Sequence, residues 1–330
     1  MTGTTGVVAT PPSQWIEAGG TATFALSGAL AYTWAGNGIT YENVHAPSVT
    51  LPVEAALPLT ASACPVIHVT EEGAGDKSGA DWANACPGFT NALERVDGVA
   101  TPAIVRFAAG TYVTGASRSA NYTIATPLQL EGATGNPADV TLDGKGYGFV
   151  LNNDYAVLSG LTVRNFQSTS SSIALTLTKG LATNCVFQGA SGKTSAGSPL
   201  TVQGGTLVTD CRFDYLRGVP GGTICSLYGG GVLRRTRFTN SYGAYREIYA
   251  MKGDGRRARL EDCEFPSSAL TYVVSPYAVG VDAFGCVATN CTGFFAYIQT
   301  PSSFTDCLVA GNGGEAQFDF EFGTPTDTVL

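Results

Sequence analysis

Residues 251–265 read MKGDGRRARLEDCEF, eight charged side chains in fifteen residues of a chain in which only 13% are charged. The second half of this stretch decides the fold. Leu260, Cys263 and Phe265 follow the pattern apolar-x-x-(Cys or apolar)-x-apolar, and that pattern recurs as Leu158/Leu161/Val163, Ala182/Cys185/Phe187, Val208/Cys211/Phe213, Leu233/Thr236/Phe238, Ala283/Cys286/Ala288 and Phe304/Cys307/Val309, with Pro137/Val140/Leu142 as a first copy. Successive central positions, from Val140 to Cys307, lie 21, 24, 26, 25, 27, 23 and 21 residues apart. Internal periods of about 20 to 50 residues mark solenoids. A mean of about 24 is the length of one three-sided coil.

Short apolar runs ending in glycine turns precede several copies: IALTLTKG, PLTVQGG, SLYGGG and IYAMKGDG. Val, Leu, Phe and Thr dominate these runs, which favours strands. The expected class is all-β. Each coil should hydrogen-bond to the coils above and below at about 4.8 Å, and equivalent inward residues should stack into ladders. Stability then sums over neighbouring coils.

Upstream, the texture differs. Residues 1–63 carry strand-like runs TATFALSG, AYTWAGNG and SVTLPV between Gly, Asn and Pro turns. They resemble the first half of bacterial immunoglobulin-like repeats, with Trp34 on the core-tryptophan strand. From Cys64 comes VIHVTEEGAGDKSGADWANACPGFTNALERVDGVATPAIVRFAAGTYV, whose helical segment places Phe89, Leu93 and Val96 on one face. The order of VTEEGAGDKSG, WANA, an amphipathic helix and AIVRFAAGTY resembles the N-terminal cap of right-handed parallel β-helix proteins of the pectin-lyase-like superfamily, especially large bacterial surface proteins. The resemblance implies a right-handed parallel β-helix of about eight coils with a helix plugging its open end. The expected organisation is a β leader (1–63), a cap (64–113), coils (114–314) and a terminal strand (315–330). The tail EAQFDFEF alternates, with Ala316, Phe318, Phe320 and Phe322 on one face. It either folds over the end of the tube or docks on a neighbouring subunit.

Nine cysteines leave at least one without a disulfide partner in the chain. Cys185, Cys211, Cys263, Cys286 and Cys307 occupy one equivalent position, interrupted by Thr236, and read as a stack of small buried side chains. Cys64 with Cys86 is the candidate disulfide, tying the cap helix to its first strand. No CxxC occurs and His45 and His68 are the only histidines, so no metal site is expected.

The register also places the charges. Asp210, Arg235 and Asp262 should be neighbours, as should Arg212, Arg237 and Glu264, and Asp143 should meet Arg164. Subtracting the pairs leaves a band of cations and tyrosines: Arg217, Arg234, Tyr245, Arg246, Tyr249, Lys252, Arg256, Arg257 and Arg259. Arginine forks and tyrosine rings are the chemistry that grips glycans. A ligand is therefore expected at Arg217, Tyr245, Arg246, Tyr249, Lys252, Arg256, Arg257 and Arg259.

Catalytic residues are not assignable. The resemblance implies lyases that combine calcium, held by several Asp, with an Arg or Lys base, and hydrolases with close Asp pairs. The coils lack histidine and a carboxylate pair at catalytic spacing. No cofactor is required by any motif; Asp214, Glu247 and Asp254 could hold calcium. A net charge of −8 disfavours nucleic acid, and no run of about 18 apolar residues predicts membrane insertion. No signal peptide opens the given chain. The expected role is a non-enzymatic binding scaffold on a cell surface or virion, adhesin-like or of tail or fibre type, contacting glycans and forming a homo-oligomer or larger assembly. The alternatives are a polysaccharide lyase acting on an acidic glycan and a purely architectural subunit.

Overall fold

A computed structural model describes residues 2–3, 8–11, 17, 20–27, 32–36, 39–41, 48–53, 60–96, 103–114, 122–145, 147–166, 175–191, 198–251, 255–311, 313 and 318–320. The chain forms two compact units, residues 1–107 with 126–130, and residues 108–125 with 131–330.

The first unit begins with two small sheets. Gly20–Ser27 pairs antiparallel with Val8–Thr10 and with Ser48–Val53, while Tyr32–Gly36 pairs antiparallel with Ile39–Tyr41 and Thr60–Ala63. Val66–Thr70 then lies parallel to Ala103–Phe107. The helix Gly88–Val96 buries Phe89, Ala92, Leu93 and Val96, the stripe expected from its spacing, and Phe89 stacks on Phe107 with centroids 6.0 Å apart.

No disulfide joins Cys64 to Cys86, correcting the sequence expectation; both are buried thiols. The register explains why. Cys86 stands opposite Val69, whereas Cys64 precedes the start of that strand at Val66 and packs with Ile104. Three residues of strand alone separate the two by about 10 Å, beyond the ~7 Å Cα limit of a disulfide.

The second unit is a parallel β-solenoid of about seven turns. A representative turn runs Arg246–Met251, Ala258–Glu261 and Glu264–Pro266, and the next runs Tyr272–Pro276, Val281–Phe284 and Val287–Thr289. The third strands of the turns form a nine-stranded parallel sheet.

Apart from Pro137, which lies in a turn before Val140–Asp143, the inward rows deduced from spacing are in register. Along the third strands, Tyr112, Leu142, Val163, Phe187, Phe213 and Phe238 pair in succession, and Phe265, Ala288 and Val309 continue the row beyond the Arg237 to Glu264 pairing. Along the second strands, Leu158, Ala182, Val208, Leu233, Leu260, Ala283 and Phe304 do the same. Four phenylalanines stack as a column: Phe187 on Phe213 at 5.0 Å, Phe213 on Phe238 at 4.7 Å and Phe238 on Phe265 at 5.4 Å. That spacing is the strand separation itself.

Corners have a local cause. Gly160, Asn184, Asp210, Arg235, Asp262, Gly285 and Asp306 all have positive φ, and so do Asn165, Gly189, Tyr215, Asn240, Ser267, Asn290 and Gly311, each five residues later. Left-handed backbone suits Gly, Asn and Asp, and all but Arg235, Tyr215 and Ser267 are of those types. The pairs bracket each short third strand and turn the chain in and out of it. Glycines mark another corner at Gly180, Gly205, Gly230 and Gly255. At Gly180, with φ +95, an added Cβ would meet the Ala156 carbonyl oxygen at 2.5 Å. Gly255 thus belongs to this glycine series, and Gly253 and Asp254 lie outside the described residues.

The tail adds a further rung. Phe318–Phe320 pairs parallel with Ala296–Ile298, and Phe318 packs edge-on against Phe295 at 5.6 Å and Phe304 at 5.4 Å. It therefore continues the stack rather than folding across it. Ala316 and Phe322 lie outside the described residues.

Candidate functional site: an arginine and tyrosine strip

In the strand Arg246–Met251, Ile248 and Ala250 are fully buried. Alternation turns Tyr249, between them, to the outer face. Its register partners there are Ser226 on one side and Ser275 on the other. Tyr297 follows one coil further on, next to the inward Ala296 that pairs with Val274. Coil stacking therefore assembles a strip from residues distant in sequence.

Arg246 is its centre. The guanidinium carbon lies 4.9 Å from the centroid of the Tyr245 ring and 4.7 Å from that of Tyr249, and Nε donates to Ser275 Oγ at 3.2 Å. Tyr249 stacks on Tyr277 at 5.2 Å, and Tyr277 is 48% exposed. Tyr245 meets Tyr272 edge-on at 5.2 Å. Tyr272 stacks in turn on Tyr297 at 4.9 Å and on Phe294 at 5.5 Å. Cation–π contacts hold a guanidinium in place for about 0.5–2 kcal/mol each and leave N–H groups of the fork for a ligand.

Sequence reasoning selected Tyr245, Arg246 and Tyr249, and the structure brings these three together. Tyr272, Tyr277, Phe294 and Tyr297 were missed. Tyr272 and Phe294 take Arg246's own register position in the two following coils, and Tyr297 stands one place after the inward Ala296. Arg217 lies elsewhere, exposed in a row with Ser191 and Tyr242. Arg256 is exposed, and Lys252 lies outside the described residues.

Arg257 and Arg259 differ from the expectation that they lack partners. Arg257 Nη1 meets Asp282 Oδ1 at 2.7 Å and Arg259 Nη2 meets Glu261 Oε1 at 2.6 Å. Arg234 also pairs with Glu261. Asp282 is supplied by the next coil, and Glu261 stands two residues from Arg259 on the same face of one strand, so neither appeared as a partner at the ladder positions.

The other charge pairs follow the register. Arg237 meets Glu264 at 3.2 Å and Arg164 meets Asp143 at 3.1 Å. Arg235 forks onto Asp210 through Nε at 2.6 Å and Nη2 at 2.7 Å. That guanidinium holds the Asp210 carboxyl below the usual carboxylate range. The pairs exposed on both sides, Arg237–Glu264 and Arg235–Asp210, contribute about 0.2–1 kcal/mol each. Asp262 makes no described ion pair of its own and sits at a positive-φ corner instead.

Of the acids proposed for calcium, Asp214 accepts from Thr239 Oγ1 at 2.9 Å and Asn240 Nδ2 at 2.8 Å, and Asp254 lies outside the described residues. Glu247 points inward, only 1% exposed. Ser268 Oγ donates to its Oε2 at 3.0 Å, while Oε1 and the hydroxyl of Ser241 have no well-formed hydrogen bond. Burial pushes its carboxyl up to about 7, the serines only partly opposing the shift. Among the described residues no group of three or more His, Cys, Asp or Glu is placed to hold a metal ion.

Strands of successive turns, stacked parallel in long sheets, decide the architecture. This chain folds as a parallel β-helix. No family model matches its sequence, and no curated protein does. Solved structures similar to this β-helix include a pectate lyase, Pel9A, with TM-score 0.45 and 12% identity over 81% of each chain. A rhamnogalacturonan lyase gives TM-score 0.45 and 11% identity over 81% of this chain and 84% of that one. A mutant of the PL6 family alginate lyase AlyGC gives 0.40 and 13% over 69% and 39%. No helix of the β-helix protein, among its described residues, is long and apolar enough to cross a membrane.

Proposed function

We propose that this protein is a non-enzymatic β-helix scaffold, displayed on a cell surface or virion, that binds glycans along the strip centred on Arg246. The observation that carries this reading is the guanidinium held between the Tyr245 and Tyr249 rings beside the exposed Tyr277. Tyrosine faces accept the C–H faces of sugar rings, and a fixed guanidinium forks onto a carboxylate or a pair of hydroxyls. The successive coils rise by about 4.8 Å, so a linear glycan can lie across several of them.

A panel of immobilised neutral and acidic polysaccharides tests this. The parent chain should be retained, acidic members most strongly, and Arg246→Ala combined with Tyr249→Ala should weaken binding about tenfold or more, the equivalent of at least ~1.4 kcal/mol. Retention unchanged by the double substitution would move the site elsewhere. Incubation with pectate, alginate and glycosaminoglycan, with and without calcium, tests the lyase alternative. Sustained release of unsaturated products would replace the non-enzymatic reading.

A further inference from the structure

The thiol ladder ends differently from the way it begins. Eight of the nine cysteines are buried, and Cys307, on the last turn of the row, is half-exposed. Cys286 is its equivalent one coil earlier: Val287 pairs with Leu308, and Leu308 N–H donates to the Cys286 carbonyl at 2.8 Å. Neighbouring parallel strands place such Cα atoms about 4.8 Å apart, inside the ~4.4–6.8 Å window of a disulfide. The two side chains stack inward on the same side. Cys286 Sγ approaches the Leu260 carbonyl at 3.6 Å, and Cys307 Sγ approaches the Ala283 carbonyl at 3.8 Å, each reaching back to the preceding coil.

We infer that Cys307 is a peroxide-reactive thiol and that Cys286 resolves it, closing a disulfide between successive coils. Partial exposure of Cys307 supplies access, and the neighbouring thiol supplies both activation and a partner. Hydrogen bonding from Cys286 brings the Cys307 thiol down to about 7, against a partly opposing burial. A substantial thiolate fraction therefore exists at neutral pH, and the thiolate is the nucleophile. Contact with Cys263, then the same contact with Cys307 and burial, push Cys286 up, so it is the resolving rather than the attacking member.

The chemistry balances with a hydroperoxide as oxidant. The Cys307 thiolate attacks the distal peroxide oxygen, the O–O bond breaks, and the departing alkoxide or hydroxide takes up a proton. Cys307 is then a sulfenic acid. The Cys286 sulfur attacks it, the S–O bond breaks, and hydroxide leaves with the Cys286 proton as water. Two thiols and one hydroperoxide give one disulfide, one alcohol or water, and one further water. Cys185 with Cys211, and Cys263 with Cys286, are equally adjacent along the ladder. They lack an exposed member to begin the reaction.

Peptide mapping of the full chain after a small excess of hydrogen peroxide tests the inference. The expected result is a linked Cys286 and Cys307 peptide pair, a loss of two titratable thiols from nine, and restoration of both by dithiothreitol. Cys307→Ser should prevent any linkage at Cys286. Cys286→Ser should leave Cys307 as a sulfenic acid captured by dimedone. An unreacted Cys307 in the parent chain, a sulfenic or sulfinic acid there without linkage, or a disulfide joining other cysteines would overturn it.

Discussion

Replacing Phe213 with alanine is expected to remove about 3–5 kcal/mol of unfolding free energy, the range for truncating a fully buried phenylalanine. Its ring is sandwiched between Phe187 and Phe238 at 5.0 and 4.7 Å and has no exposed surface. The cost is unusually well placed to be seen. A solenoid holds each coil only through its neighbours, so a gap in the column weakens both interfaces of one coil at once. Val309, at the end of the same row and half-exposed, should tolerate alanine at a cost of about 1 kcal/mol or less. Urea unfolding of the two variants checks the contrast, and a Phe213→Ala loss no greater than that at Val309 would argue against a continuous column.

A pH dependence of comparable size should come from Glu247. Its folded carboxyl sits at about 7, against an ordinary value of 4.5. The native state therefore holds a proton that the unfolded chain has released across that interval, and stability falls as pH rises from 4.5 to 7, then levels off. The stabilising contribution is fully present below 4.5. Its loss amounts to about 3 kcal/mol, from a difference of roughly 2.5 pH units at 1.36 kcal/mol each. Glu247→Gln keeps the shape and removes the proton, so the variant should lose this slope and should exceed the parent in stability above pH 7. Asp143 and Asp210 carry lowered values, and their contribution, present above the normal aspartate range and lost in acid, is common to both proteins. Denaturation midpoints at pH 4, 6 and 8 decide the matter: parallel curves for parent and variant would contradict the buried proton.

Much of the architecture was legible because inward positions repeat. The row from Leu142 to Val309 and the row from Leu158 to Phe304 follow from spacing alone, since each must be apolar and each recurs once per coil. The corners were less legible because one residue served two needs. Asp210 and Asp262 read as charge partners of Arg235, and the ion pair with Asp210 is present, but their place in the series is set equally by a left-handed backbone. Asn184, Gly285 and Asp306 at the same position carry that signal without the charge. The cysteine pair failed for a related reason: proximity of Cys64 and Cys86 was read from connectivity, whereas the strand register separates them.

The candidate site was half visible. Local composition pointed to Tyr245, Arg246 and Tyr249, which are adjacent in sequence. Tyr277 and Tyr297 join them only because successive coils superimpose, and no local window contains all five. The same density of charge concealed Glu247. It lies between Arg246 and the strand interior and read as one acid of a surface cluster, yet the backbone turns it into the core between Ser241 and Ser268, positions equivalent to the apolar Phe166, Ala190 and Leu216.

A crystal structure of the protein with the best-retained oligosaccharide of the panel tests the central claim most directly. The glycan should lie along the strip, a sugar ring against Tyr249 or Tyr277 and a carboxylate or hydroxyl pair on the Arg246 guanidinium. Sugar bound away from these residues, with Arg246 still closed between its two tyrosines, would contradict the account.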